Sequence, residues 1–223
     1  MRVLHVIPSV APCRGGPSKA VVEMVCALNA QGVQSEIATT NDACDEKLEL
    51  KLLEIIDYKG APTQLFDVFS PPVHAIREFQ YSQTFVVWLR KHIADYDVIH
   101  VHAIFSFCSS YAMWLARKKG IPYVVRPIGQ LEKWSLEQSA VKKKFYLKVV
   151  EENNIVQANA IQFTALSERD QALDLFPRLN ASIIPIGIEL PEIIQDAKQK
   201  LRIKWQLESS TPVIAYLSRV HPK

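Results

Sequence analysis

Short apolar runs that alternate with helical segments constrain the fold more than any other feature of this sequence. Residues 3–7 and 97–102 have the length and composition of buried strands, and a segment whose apolar residues recur at helical spacing follows each. Further runs of this kind lie at 34–40, 121–126, 160–164 and 182–186. Strands separated by helices predict an α/β fold with a Rossmann-like, mostly parallel sheet and helices on both faces.

Three other segments carry local predictions. Residues 41–80 are hard to interpret because Pro62, Pro71 and Pro72 interrupt every pattern there. Residues 136–152 indicate one long helix, and Ser167 with Asp170 indicates a capping box ahead of the next helix. Residues 193–205 indicate a polar helix, and residues 213–217 a last apolar strand.

Composition and charge exclude several classes of protein. Lys plus Arg number 26 and Asp plus Glu number 23, and a net charge of +3 is too small to argue for nucleic acid. The apolar stretch 98–116 contains His100, His102 and three serines, so it makes a poor membrane span. The start of the chain does not resemble a signal peptide. We therefore expect a cytoplasmic protein.

The four cysteines show neither a C-x-x-C pair nor the spacing of a zinc site. They are Cys13, Cys26, Cys44 and Cys108. Scattered cysteines of this kind are typical of reduced thiols in a cytoplasmic protein.

Ligands of parallel α/β sheets bind beyond the carboxyl ends of the strands, which directs attention to the residues there. Gly15 and Gly16 stand between the first strand and the first helix, where backbone N–H groups can approach an anion or a sugar hydroxyl. A tight turn without a ligand explains the same pair equally well. The pattern is neither G-x-G-x-x-G nor a P-loop, so it does not support dinucleotide or P-loop chemistry.

His100 and His102 alternate on one strand, so both point to the same face of the sheet. No third ligand is evident near them, and we predict no metal site. His102 is the better functional candidate because it ends the strand, whereas His100 is expected to be structural. Arg126 ends a predicted strand and Arg219 follows one, at positions where a guanidinium can bind phosphate oxygens, although a solvated arginine is the commoner role.

A basic segment after the predicted strand 121–126 has apolar residues at helical spacing. Lys142, Lys143, Lys144 and Lys148 accompany them, and Trp134 stands just ahead. Such a helix can rest on an anionic membrane surface. A solvated charged face is the alternative.

Five segments in this order resemble the N-terminal half of a GT-B fold glycosyltransferase of the retaining family 4. They are the Gly15 and Gly16 loop, DVIHVH at 97–102, FTALSE at 163–168, IPIGI at 184–188 and AYLSR at 215–219. The sequence departs from the family pattern at Ile186, where the family usually has Asn, and at Ser218, where it usually has Gly. The family's phosphate-binding Lys would fall just beyond Lys223.

The resemblance implies an N-terminal acceptor-side domain over residues 1–207 and the start of a donor-binding domain over 208–223. It implies transfer of a sugar from a nucleotide diphosphate sugar, with retention of configuration, to a polysaccharide or a lipid-linked acceptor at the inner face of a membrane. No metal or other cofactor is expected.

The resemblance also implies roles for individual residues. His102 would contact the donor sugar, Arg219 would neutralise the departing diphosphate, and Gly15, Gly16 and Arg126 would bind substrate. These 223 residues alone are expected to be inactive. A non-catalytic sugar- or nucleotide-binding module and a different GT-B enzyme, such as an epimerase or phosphorylase, remain as alternatives.

Overall fold

The computed structural model describes residues 1–71, 73, 77–188 and 192–216. Its contacts divide the chain into two compact units, Met1–Gly187 and Ile188–Lys223. The predicted domain boundary between residues 207 and 208 stays a prediction.

The first unit contains an eight-stranded sheet with the strand order β10-β9-β8-β7-β1-β2-β6-β5. All neighbouring strands pair in parallel except β5 and β6, so the predicted mostly parallel α/β sheet is confirmed. A separate hairpin joins β3 and β4. The strands are β1 (Arg2–Ser9), β2 (Gln34–Thr40), β3 (Asp42–Ala43), β4 (Glu46–Lys47), β5 (Ile55–Tyr58), β6 (Ala61–Phe66), β7 (Val98–His102), β8 (Tyr123–Arg126), β9 (Ala160–Phe163) and β10 (Ala181–Ile183).

Helices cover both faces of this sheet. The helices of the first unit are α1 (Gly16–Ala30), α2 (Gln83–His92), α3 (Phe107–Lys119), α4 (Lys133–Glu137), α5 (Ala140–Tyr146), α6 (Glu152–Val156) and α7 (Leu166–Leu175). On one face, α1 buries Val21 and Val25 in a small core with Ile37. On the other face, α2, α3, α6 and α7 contribute to the main core around Leu4 and Val101.

The sequence missed β6, a fully paired strand inside the region that prolines make hard to interpret. Its second residue is Pro62, which pairs with Asp57 of the antiparallel β5. A proline near the start of a strand removes only one N–H from the ladder, so the strand continues through Phe66.

The helix predicted over 136–152 is broken into shorter pieces. α4 ends at Glu137, α5 begins at Ala140, and a π-helical turn, Leu147–Glu151, joins α5 to α6. A π-helical turn inserts an extra residue and turns the next side chains onto a new face. Here it directs Glu151 into the protein, where it is fully buried.

The predicted capping box is wrong in register. α7 begins at Leu166 after Ala165, so Ser167 lies inside the helix and makes no cap. Instead Glu168 reaches back and accepts hydrogen bonds from the Thr164 N–H at 2.9 Å and the Thr164 hydroxyl at 3.0 Å.

The second unit contains α8 (Ala197–Lys204), shorter than the helix predicted over 193–205. Residues 213–216 form no strand. Residue 217 of that predicted strand lies outside the described residues, as does Arg219. Among the helices of the described residues, none has the length and hydrophobicity needed to cross a membrane.

Candidate functional site

A cleft of about 260 Å³ opens at the carboxyl ends of β1 and β7, where the topology of the sheet predicts a ligand site. Its walls come from the loops that follow β1, β7 and β8 and from residues that precede α2. The lining includes Ser9, Arg14, Ser18, Glu78, Gln80, Phe105 and Gln130.

Four lining residues other than glycine adopt left-handed backbone conformations. Their φ angles are 55° for Gln80, 70° for Ala103, 61° for Phe105 and 59° for Ile128. Left-handed φ is unfavourable for side chains with a Cβ, most of all for a β-branched residue such as Ile128. Strained conformations of this kind cluster at ligand and catalytic sites.

The turn 103–105 owes its shape to three separate acceptors. The Ala103 N–H donates to the Arg126 carbonyl at 2.9 Å, and the Ile104 N–H donates to Oε1 of Gln130 at 2.6 Å. The Phe105 N–H donates to Oε1 of Glu151 at 3.1 Å. Every N–H of the turn is therefore paired with an acceptor outside the turn.

Glu151 and Glu168 are buried carboxylates that hold the cleft loops from below. Glu151 also accepts from the Ser110 hydroxyl at 2.5 Å, and burial raises its pKa. Glu168 accepts from the Gly129 N–H at 2.7 Å and from Thr164, so it joins the loops after β8 and β9. The sequence analysis overlooked both as site residues, although a Glu among apolar residues, as at position 151, is a signal of a satisfied buried carboxylate.

Charged groups line the opposite wall. Arg14 forms ion pairs with Asp42 at 2.8 Å and Glu78 at 2.9 Å, and Gln80 donates to the same Asp42 carboxylate at 2.9 Å. Burial alone would lower the pKa of Arg14, but the hydrogen bonds to Glu78 and Asp42 raise it. The cleft therefore offers donors and acceptors side by side.

A histidine cluster lies on the α1 face of the sheet below the cleft. His5 pairs in register with His100, and His102 pairs with Arg126. Nδ1 of His5 lies 3.0 Å from Nε2 of His102, and the rings of His100 and His102 are 4.2 Å apart. The prediction that His100 and His102 share a face is confirmed. His5 was missed, although it alternates with Leu4 and Val6 in the first strand.

Burial keeps the histidines neutral. It is the main cause that lowers the pKa values of His5 and His102, and it lowers that of His100 to about 3. The cation of Arg126 lowers all three further. Nitrogen atoms of the three rings lie within 4.8 Å of one another, close enough to share a metal ion. Because Arg126 faces the same cluster, its charge opposes a second cation, and we keep the prediction of no metal.

The predicted site residues do not all meet in this cleft. His102 and Arg126 lie together beneath it, both fully buried. Gly15 and Gly16 line a separate pocket of about 460 Å³ beside Lys19 and Tyr58. Gly15 has a φ of 83°, which a glycine adopts without strain, so a turn requirement explains its identity.

The interpretation of the cysteines as scattered reduced thiols is wrong for two of them. Cys13 and Cys44 form a disulfide across 31 residues of sequence, and Cys26 and Cys108 are not part of this bond. Cys13 precedes Arg14, and Cys44 follows β3, which contains Asp42. The disulfide and the Arg14–Asp42 ion pair therefore join the same two segments. Because these segments lie far apart in the sequence, no short motif indicated the pairing.

The basic segment has an exposed apolar stripe. Val141 is 84% exposed and Phe145 is 70% exposed, and Val149 is also exposed. Lys142, Lys144 and Lys148 are exposed beside them. Lys143 instead turns inward and donates to the Ser135 carbonyl at 2.7 Å, and Trp134 is only partly exposed.

Comparison with known structures identifies the fold. The N-terminal domain of Candida albicans trehalose-6-phosphate phosphatase shares 15% identity with a TM-score of 0.55, over 92% of this chain and 54% of that one. UDP-N-acetylglucosamine 2-epimerase from Rickettsia bellii shares 12% identity with a TM-score of 0.50, over 93% and 52%. At such identities the likeness concerns the fold alone. The chain spans about half the length of these structures.

Comparison of sequences identifies the family. No curated protein matches the chain at a significant level. Residues 15–187 match the profile of the glycosyl transferase 4-like domain, and they include His102, Arg126 and both buried glutamates. This match covers most of the chain, and the chain therefore belongs to the glycosyl transferase 4-like domain family.

Proposed function

We propose that this chain is the acceptor-side part of a retaining glycosyltransferase that moves a sugar from a nucleotide diphosphate sugar to a polysaccharide or lipid-linked acceptor. Membership of the glycosyl transferase 4-like family supports a transferase. The observation that carries the proposal is the cleft at the carboxyl ends of β1 and β7, with four strained non-glycine residues in its walls. Backbone strain of this kind is concentrated at ligand and catalytic sites.

The chemistry of the walls suits a sugar. Each sugar hydroxyl both donates and accepts a hydrogen bond, and the cleft offers the Arg14 guanidinium, the Glu78 carboxylate and the amides of Gln80 and Gln130. Three hydrogen bonds give the turn 103–105 a defined conformation in the empty cleft.

In this proposal His102 contacts the donor sugar, and Arg126, Gly15 and Gly16 bind substrate. Arg219 neutralises the diphosphate, and no metal takes part. His102 is fully buried, so its contact with a sugar requires the turn 103–105 to move when the donor binds. Movement of a wall on binding also excludes water, which would otherwise hydrolyse the donor.

Transfer is tested with the complete protein and a panel of UDP- and GDP-sugars in excess EDTA. We expect transfer with retained anomeric configuration, read by NMR of the product, and the 223-residue chain alone should be inactive. His102→Ala should lower turnover about 100-fold. His92→Ala is the matched control because the half-buried His92 lies at the end of α2, where it pairs with Asp95 and stacks on Trp88.

Product analysis also separates the alternatives. If the product is an epimerised or phosphorolysed sugar, the protein is a different GT-B enzyme and not a glycosyltransferase. Binding without turnover would indicate a non-catalytic module. Loss of transfer in EDTA with recovery in Mg²⁺ would contradict the metal-independent mechanism. Equal turnover of His102→Ala and the native protein would make His102 a structural residue.

We further propose that the exposed stripe of Val141, Phe145 and Val149 rests on an anionic lipid surface. Exposed Lys142, Lys144 and Lys148 provide the matching charge. Because Lys143 is occupied by Ser135, it contributes less than the sequence indicated. A peripheral position of this kind would bring the cleft close to a lipid-linked acceptor.

A further inference from the structure

Arg126 is a buried cation whose guanidinium lacks a hydrogen-bonding partner within the described part of the chain. The residue is 0% exposed, and its Nε, Nη1 and Nη2 atoms all lack an acceptor. Burial lowers the pKa of Arg126, yet a guanidinium starts so high that it stays protonated. An unpaired buried charge is costly, so a fold that keeps one normally supplies an anion.

Glu168 is the acidic group that acts on Arg126, but it is already occupied. Its charge favours the protonated guanidinium. One carboxylate oxygen accepts from the Gly129 N–H at 2.7 Å, and the other accepts from Thr164. No ion pair joins Glu168 to Arg126 in the described residues, so the donors of the guanidinium remain unused.

The neighbouring histidines also have unused nitrogen atoms. His5 and His102 share one hydrogen bond of 3.0 Å, and Nε2 of His5 and Nδ1 of His102 have no partner in the part of the chain that is described. Whichever neutral ring donates, one of these two free nitrogens carries a proton and the other does not. One added proton would make both of them donors while the hydrogen bond between the rings is kept.

We propose that Arg126, His5 and His102 form a buried binding site for a phosphate-type oxyanion. The guanidinium presents several N–H donors in a plane, a geometry that matches phosphate oxygens. The protonated histidine pair adds two more donors. A phosphate or diphosphate group offers enough acceptors for all of them.

Binding at this site takes up a proton. Burial, His100 and Arg126 lower the pKa values of His5 and His102 in the empty site. An anion at Arg126 offsets the positive charge and favours an imidazolium, so the pKa of the pair rises on binding. By linkage, the affinity for the anion increases as the pH falls.

The site lies below the floor of the cleft. Ile7, Ala103 and Ile128 line the cleft and follow His5, His102 and Arg126 by one or two positions. The free nitrogens are enclosed, so an anion enters only when this floor moves. Ala103 and Ile128 are the strained residues of the floor, and their conformations favour such movement.

This inference does not require transferase activity. The diphosphate of a nucleotide sugar and a free phosphate have the same chemistry, and inorganic anions test the site directly. Sulfate is the first probe because it keeps its double charge across the pH range used, so any proton uptake comes from the protein. Pyrophosphate and UDP then distinguish a free anion from a nucleotide as the natural source.

Calorimetry of the 223-residue chain with sulfate, in two buffers of different ionisation enthalpy, measures binding and proton uptake together. We expect uptake of up to one proton and an affinity that rises about tenfold between pH 8 and pH 6. Arg126→Met should weaken binding about tenfold or more. His5→Gln should keep weak binding but lose the proton uptake, and His92→Gln should behave as the native chain.

Thermal unfolding with and without sulfate provides a second measurement of anion binding for each variant. Removal of an unpaired buried cation should raise the Tm of Arg126→Met without sulfate and reduce the further rise that sulfate causes. The general effect of sulfate on stability is the same in both proteins and cancels in the comparison. Equal stabilisation of the native chain and Arg126→Met by sulfate, or binding without proton uptake, would overturn the proposal.

Discussion

Replacement of Glu151 by Ala should destabilise the protein through a single orphaned N–H group. Glu151 accepts hydrogen bonds from the Phe105 N–H, the Ser110 hydroxyl and the Asn154 amide. The Ser110 hydroxyl has a second acceptor in the Ser106 carbonyl, and the Asn154 amide has one in the Ser110 carbonyl. Among the described residues the Phe105 N–H has no other acceptor, and an unsatisfied donor in this partly buried position costs about 1–3 kcal/mol.

Glu151→Gln provides the isosteric comparison and gives a pH dependence of known sign. Burial raises the pKa of Glu151 in the folded protein, so the folded state holds this proton more tightly than the unfolded state. The contribution of Glu151 to stability is therefore largest below its unfolded pKa of about 4.3 and decreases as the pH rises through the folded pKa. Relative to Glu151→Gln, the native protein should become less stable over that window.

Urea unfolding followed by tryptophan fluorescence measures both effects. A double-mutant cycle with Phe105→Gly tests the cause, because glycine adopts the left-handed conformation without strain and should reduce the cost of losing Glu151. Exchange of the Phe105 amide hydrogen should accelerate in Glu151→Ala more than exchange elsewhere. A change in unfolding free energy below about 0.5 kcal/mol for Glu151→Ala would refute the reasoning, since surface substitutions reach that value.

Two further predictions concern the disulfide and the exposed stripe. Cys13→Ser should lower the unfolding free energy by about 3–4 kcal/mol, because the Cys13–Cys44 bond closes a loop of 31 residues. Urea unfolding measures this change, with Cys26→Ser as the control. Equal stability of the two variants would show that the bond does not form. Anionic vesicles should bind the protein in low salt and release it in high salt, each exposed lysine contributing about 1 kcal/mol. Phe145→Ser should weaken this co-sedimentation and Val87→Ser on α2 should not, whereas equal binding to neutral vesicles would contradict the surface assignment.

The sheet was predictable because its strands carry continuous apolar runs. The predicted 34–40 strand coincides with β2, and the register of 97–102 places both histidines on one face. The apolar pattern is a local property, and runs of this short length between helical segments favour strands that are buried on both faces. β6 was missed because Pro62 argues against a strand in the sequence, although the strand is well paired in the structure.

The site was only partly predictable because its parts meet through long-range contacts. Gln130 and Glu151 hold the turn 103–105 from 26 and 46 residues away, and no spacing rule connects them. The same applies to His5, which meets His102 across 97 residues. The strand ends at which a ligand is expected could be predicted from the sequence. The hydrogen bonds that shape the cleft could not, because they form between residues that only the fold brings together.

The left-handed Ile128 has a consequence for how this domain responds to selection. A glycine or asparagine at position 128 would relieve the backbone strain, so a screen for thermostable variants should recover these substitutions readily. If the function of the cleft depends on this strain, the recovered variants will have a higher melting temperature and a lower catalytic rate. Position 128 is thus a place where a stability screen, run without any knowledge of substrate, reports on function.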